Sequence, residues 1–169
     1  MNGAIIGLIG TVVGALSGVL GTLAATRLGG AEQRRTQNDQ SERMGRTTAY
    51  ASLVTESSRA YRVGYASHTG VLGRIAPLDR AQALRDFKSA AEAVYEAVSI
   101  AKLHGPDAIA HAADNLASAL SGWCREVELL AEGQGDEQQA SEAVELFEEL
   151  EERFVTLGRL TLSGARMLR

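Results

Sequence analysis

The first 26 residues contain no Asp, Glu, Lys, Arg, His or Gln, and this gap constrains the chain more than any other feature. All 38 acidic and basic residues fall in the 143 that follow. Residues 4–25 form an apolar run of 22 whose only hydroxyl side chains are Thr11, Ser17 and Thr22. At about 1.5 Å of rise per residue, roughly 20 helical residues cross the ~30 Å hydrocarbon layer of a bilayer. A transmembrane helix is therefore expected within residues 1–28. A cleaved signal peptide would carry a basic segment ahead of a shorter apolar stretch. Here Met1 and Asn2 precede the run, and the nearest basic residue, Arg27, follows it. Basic residues mark the cytoplasmic side of a span. Arg27, Arg34, Arg35, Arg43 and Arg46 follow the run and none precedes it. The expected topology is single-pass in the inner (plasma) membrane, with the N-terminus outside and the remainder cytoplasmic.

Six glycines punctuate the run: Gly3, Gly7, Gly10, Gly14, Gly18 and Gly21. Their steps of 4, 3, 4, 4 and 3 average the α-helical repeat, so all six share one stripe of a helix. Helices associate in lipid by close backbone approach, which a glycine face permits. Self-association through this stripe is expected, and with it a homo-oligomer in the bilayer.

The remaining chain is rich in Ala, has only two prolines and shows no alternating runs of β-branched and aromatic residues. That composition favours helix over sheet. Breaks fall at residues 70–77, at Gly105-Pro106 and at Gly133-Gln134-Gly135. Asp79 and Asp136 each stand three residues before a Gln, a variant of the capping box. Helices are predicted over residues 47–70, 79–104, 106–132 and 136–168. Each carries a seam stepping by 3 and 4: Tyr50, Val54, Ser57, Tyr61 and Gly64 in the first; Leu84, Phe87, Ala91, Val94, Val98 and Ala101 in the second. The third has Ile109, Ala113, Leu116, Leu120, Trp123, Val127 and Leu130, and the fourth Ala143, Phe147, Leu150, Phe154 and Leu157. This is the pattern of coiled-coil-like packing, and short connections make neighbours antiparallel. The expected fold is all-α: a transmembrane helix, a polar stalk over residues 29–46, and an antiparallel four-helix bundle (or three helices plus stalk) over 47–169. Such a topology returns the end of the fourth helix to the side on which the chain enters.

Charge is divided along the chain. Residues 27–85 carry ten basic and five acidic side chains, whereas 86–169 carry seven and sixteen. Within the last helix eight acids lie in residues 136–152, and only Arg153, Arg159, Arg166 and Arg169 are charged thereafter. Acids at a helix start and bases at its end complement the helix dipole. The same bases would also suit an anionic lipid surface, so Arg159, Arg166 and Arg169 join Arg27, Arg34, Arg35, Arg43 and Arg46 as membrane-proximal candidates. No Lys/Arg cluster interleaved with aromatics is present, so no nucleic-acid partner is expected.

Catalytic signatures are missing. His68, His104 and His111 lack the fixed ligand spacings of a metal site. Glu145, Glu148, Glu149 and Glu152 are helix neighbours, but the Glu-x-x-His partner of di-metal bundles is absent. Such acidic runs are mostly solvated faces. Cys124, the single cysteine, follows the seam residue Trp123. No phosphate-binding glycine loop and no G-x-S-x-G elbow occurs. No catalytic residue, metal or cofactor is expected, and the chain is not expected to be an enzyme.

The apolar run, the Glu32-Gln33-Arg34-Arg35 stalk and the Thr48-Ala49-Tyr50-Ala51-Ser52-Leu53 segment together resemble small membrane-anchored helical proteins of GC-rich actinobacteria. Fifteen of the seventeen basic residues are Arg, as GC-rich codons favour. The resemblance is one of layout and implies no activity. The function expected is a non-enzymatic scaffold or adaptor that self-associates in the membrane and holds a protein partner on its bundle. The alternative is a pore-forming effector of holin-like or defence type.

Overall fold

The structure is a computed structural model that describes the backbone of residues 2–73 and 80–164 and the side chains of 37–73 and 80–164. Four helices follow one another: α1 (Asn2–Val71), α2 (Arg80–His104), α3 (Asp107–Ala131) and α4 (Glu137–Leu162). No strand occurs among the described residues. The chain divides into two units, Met1–Glu42 and Arg43–Arg169. In the first, the backbone is helical from Asn2 onward. The second holds the rest of α1 together with α2, α3 and α4, and it contains the hydrophobic core.

The sequence leaves open whether the stalk over residues 29–46 is helix or coil, and α1 runs through it from Asn2 to Val71. Residues 31–46 lack proline and are rich in Glu, Gln and Arg, which favour helix even without an apolar face. At the other end α4 stops at Leu162 rather than 168. Ser163 donates its N–H to Arg159, and Gly164 takes φ 70°, a left-handed turn open to glycine.

Local chemistry explains the remaining ends. The Asp136 carboxylate accepts from the N–H groups of Gln138 (2.7 Å) and Gln139 (3.3 Å), capping α4 as its sequence predicts. Asp79, the companion cap in the sequence, lies outside the described residues. Pro106 is the N-cap of α3, and its carbonyl accepts from Ile109 and Ala110. After α3 the Leu129 carbonyl accepts from Gln134 and Gly135 while Gly133 takes φ 73°. A Cβ on Gly135 would lie 2.5 Å from the Leu130 nitrogen, so this turn admits only glycine there.

The bundle core is built from the predicted seams. Phe87, Ala91, Val94, Val98 and Ala101 of α2 are buried, as are Ile109, Ala113, Leu116, Leu120, Trp123 and Val127 of α3. Trp123 stands at the centre. Its ring centroid is 4.7 Å from Phe87 of α2, 5.7 Å from Phe147 of α4 and 6.0 Å from Tyr61 of α1. Edge and tilted aromatic pairs at such distances add about 0.5–1.5 kcal/mol each beyond their burial. Gly64 of α1 is buried against the same cluster: a Cβ there would lie 2.5 Å from both Phe87 and Trp123. The two lysines of the chain tie α2 to α3 across the surface, Lys88 to Glu128 and Lys102 to Asp114.

The α1–α4 contact differs in kind. Ser57, fully buried, donates to Glu151 at 2.7 Å, and Ser58 donates to the same oxygen at 3.1 Å. One turn further, the Tyr61 hydroxyl is hydrogen-bonded to Glu148, which with burial pushes its pKa up to about 12. A row of polar contacts therefore runs down a seam whose other faces are apolar.

Candidate functional site

The candidate site is the end of the bundle where the chain enters at Arg43. Antiparallel packing brings three segments there: the start of the bundle portion of α1, the α2–α3 turn and the last turns of α4. Gly45 faces the His104 ring, with a virtual Cβ 3.2 Å from Nδ1. Arg46 donates from Nε to the His104 carbonyl at 3.1 Å, satisfying a terminal carbonyl of α2. Gly105 packs against Tyr50, whose hydroxyl would lie 2.9 Å from a Cβ at that position. Tyr50 meets Phe154 edge-on, with centroids 6.0 Å apart and planes at 80°. Gly158 lies beside the other edge of the Tyr50 ring, its virtual Cβ 3.6 Å from Cδ2.

Tyr50 is 3% exposed, and its hydroxyl has no hydrogen-bond partner. Burial pushes its pKa up, and the charge of Arg46 works against that rise. A phenol held neutral inside this end is a packing element rather than a proton donor to solvent.

Between α1 and α4 an open cleft of about 370 Å³ runs from Thr47 to Thr55 on one wall and from Phe154 to Leu162 on the other. Around this end three arginines stand among apolar side chains, with Asp107 at the start of α3 as an exposed acid beside them. Arg43 and Arg159 are exposed and Arg46 half-buried. Met44 (65% exposed), Leu103 (83%), Leu160 and Leu162 present apolar side chains to the outside.

The structure thus gathers Arg43, Arg46 and Arg159 at one end of the bundle. Arg27, Arg34 and Arg35, and the glycines Gly3, Gly7, Gly10, Gly14, Gly18 and Gly21, lie outside the residues whose side chains are described, and Arg166 and Arg169 lie outside the described residues. Among the described residues no helix is long and apolar enough to cross a membrane, and the side chains of the run over residues 4–25 lie outside those described.

The chemistry-bearing side chains do not converge. His104 and His111 are exposed, whereas His68 is buried near the far end of α1. Among the described residues no three of His, Cys, Asp and Glu are placed to hold a metal ion. Cys124 is half-buried, and its thiol is pushed up to about 12 by burial, with Lys88 pulling weakly the other way. At neutral pH such a thiol is protonated and a poor nucleophile. Of the acidic run, Glu145 and Glu148 border a 230 Å³ hollow with Tyr61, Tyr65 and His68, and Glu149 and Glu152 face solvent.

Sequence reading missed the cleft. Its only trace is Gly158, a small residue one turn beyond Phe154 on the apolar face of α4. No family model matches the chain, and neither a curated protein nor a solved structure matches it.

Proposed function

We propose that this chain is a non-enzymatic, membrane-anchored scaffold, with residues 4–25 spanning the bilayer and the bundle presented to the cytoplasm. The observation that carries the reading is the pairing of an uncharged 22-residue run with a bundle end where three arginines stand among apolar side chains. Arg43, Arg46 and Arg159 would face anionic headgroups, where each basic residue near the surface contributes about 1 kcal/mol. Exposed Met44, Leu103, Leu160 and Leu162 suit the interfacial layer beside them. The polar groups between α1 and α4 support a structural role, since Ser57, Ser58 and Tyr61 are engaged with Glu151 and Glu148. The glycine stripe would join copies through their spans, and the bundle would hold a protein partner away from the lipid.

The test is crosslinking of the full chain in membranes. Replacing Gly10, Gly14 and Gly18 together by Leu lowers oligomer yield if the stripe is the association face. Unchanged yield removes self-association from the account.

A further inference from the structure

We infer that the cleft between α1 and α4 is a binding site for a free fatty acid, its chain along the cleft and its carboxylate on Arg159. The lining is largely apolar, from Ala51 and Val54 to Phe154, Val155 and Leu162, and it includes the polar side chains of Thr47, Thr55 and Arg159. The two threonines offer no free donor. Thr47 donates to the Arg43 carbonyl at 2.9 Å and Thr55 to the Ala51 carbonyl at 2.8 Å, each within its own helix. The Tyr50 hydroxyl turns away toward Gly105. A peptide or nucleotide laid here would bury amide or base groups without partners, at a cost of about 1–3 kcal/mol for each. A hydrocarbon chain has none to bury. Arg159 supplies the single charge of the lining, and among the described residues it has no ion-pair partner. One cation in an otherwise uncharged lining matches the one carboxylate of an acyl chain. The volume of about 370 Å³ is at the small end of ligand sites, which suits a single chain. Gly158 keeps the cleft open: its virtual Cβ meets only Tyr50, at an ordinary 3.6 Å, so larger side chains there extend into the free space. The cleft lies wholly within the bundle and shares Arg159 with the anchoring reading; probe binding tests the one and membrane extraction the other, so the two fail separately.

The experiment uses the full chain in phosphatidylcholine nanodiscs, with empty nanodiscs as reference and a dansyl-labelled undecanoic acid as probe. Laurate, lauryl alcohol and dodecyltrimethylammonium serve as competitors. The expected result is a saturable component of one probe per chain, displaced by laurate and only weakly by the other two. Gly158→Leu abolishes it, and leucine is also the better helix former, so the variant keeps its helical circular dichroism. Arg159→Gln, an exposed change, weakens laurate about fivefold and leaves competition by lauryl alcohol unchanged. No saturable component above empty discs, or an undiminished one in Gly158→Leu, overturns the site. Equal displacement by the trimethylammonium compound overturns the role of Arg159.

Discussion

Gly64 of α1 and Trp123 of α3 are in backbone-to-ring contact: a single carbon added to Gly64 would sit 2.5 Å from Trp123 Cη2 and as close to the Phe87 ring. Neither ring has room to retreat, because Phe87 is 1% and Trp123 0% exposed. The glycine is what allows α1 to lie against the aromatic centre of the bundle. Gly64→Ala should therefore destabilise by about 1–3 kcal/mol through overpacking, although alanine is the better helix former. Gly122→Ala, on an exposed stretch of α3 with nothing within 4 Å of the new carbon, should stabilise by about 0.5–1 kcal/mol. Urea midpoints of the two variants measure both, and opposite signs are expected.

The α1–α4 seam makes a different prediction. Ser57 has one hydroxyl hydrogen and two acceptors, Glu151 at 2.7 Å and the Val54 carbonyl at 3.2 Å. In Glu151→Ala the Ser57 hydroxyl can turn to Val54, so the loss should be modest, about 1 kcal/mol. Ser57→Ala should cost a similar amount. In the double variant the two losses should fall short of their sum, which a double-mutant cycle reads directly.

Cys124 supplies a pH test. Its thiol holds its proton up to about 12, against an ordinary value of 9.0. The folded protein therefore binds a proton that the unfolded chain releases between those values. Stability from this group is complete below pH 9 and is lost as pH rises toward 12. Cys124→Ala should flatten that part of the stability curve, on which the raised Tyr61 hydroxyl also acts above pH 10. Iodoacetamide should modify the native thiol far more slowly at pH 8 than the urea-unfolded one.

The cap of α4 is a local prediction. Asp136 accepts two N–H groups of the first turn, and its removal leaves both to water. Asp136→Ala should cost about 0.5–2 kcal/mol, and Asp136→Asn much less, in thermal unfolding.

Much of this architecture is legible in the residues. Apolar spacing places α2 and α3 and their large buried side chains, while the buried alanines beside the seam, Ala83, Ala90, Ala97, Ala112 and Ala119, are not marked by it. The α4 seam is shifted: Ala140, Val144 and Gly158 are buried, while Ala143, Leu150 and Leu157 are only partly so. Leu150 instead borders a shallow groove shared with α3, so the spacing fits two neighbouring faces. In α1, Ser57 and Gly64 look like weak points of a seam. The structure makes one a hydrogen-bond donor and the other the clearance for a tryptophan. Neither is readable without knowing what lies opposite. The bond from Arg46 to His104 spans 58 residues of sequence, and the cleft is a matter of shape, so local pattern carries neither.

The central claim is that the uncharged run anchors the chain in a bilayer. Alkaline carbonate extraction of membranes from cells expressing the full chain tests it most directly, because carbonate strips peripheral proteins and leaves integral ones. The account predicts that the chain stays in the pellet, and that replacing Val12 and Leu16 by Arg releases it. Release of the unaltered chain into the supernatant would contradict the claim.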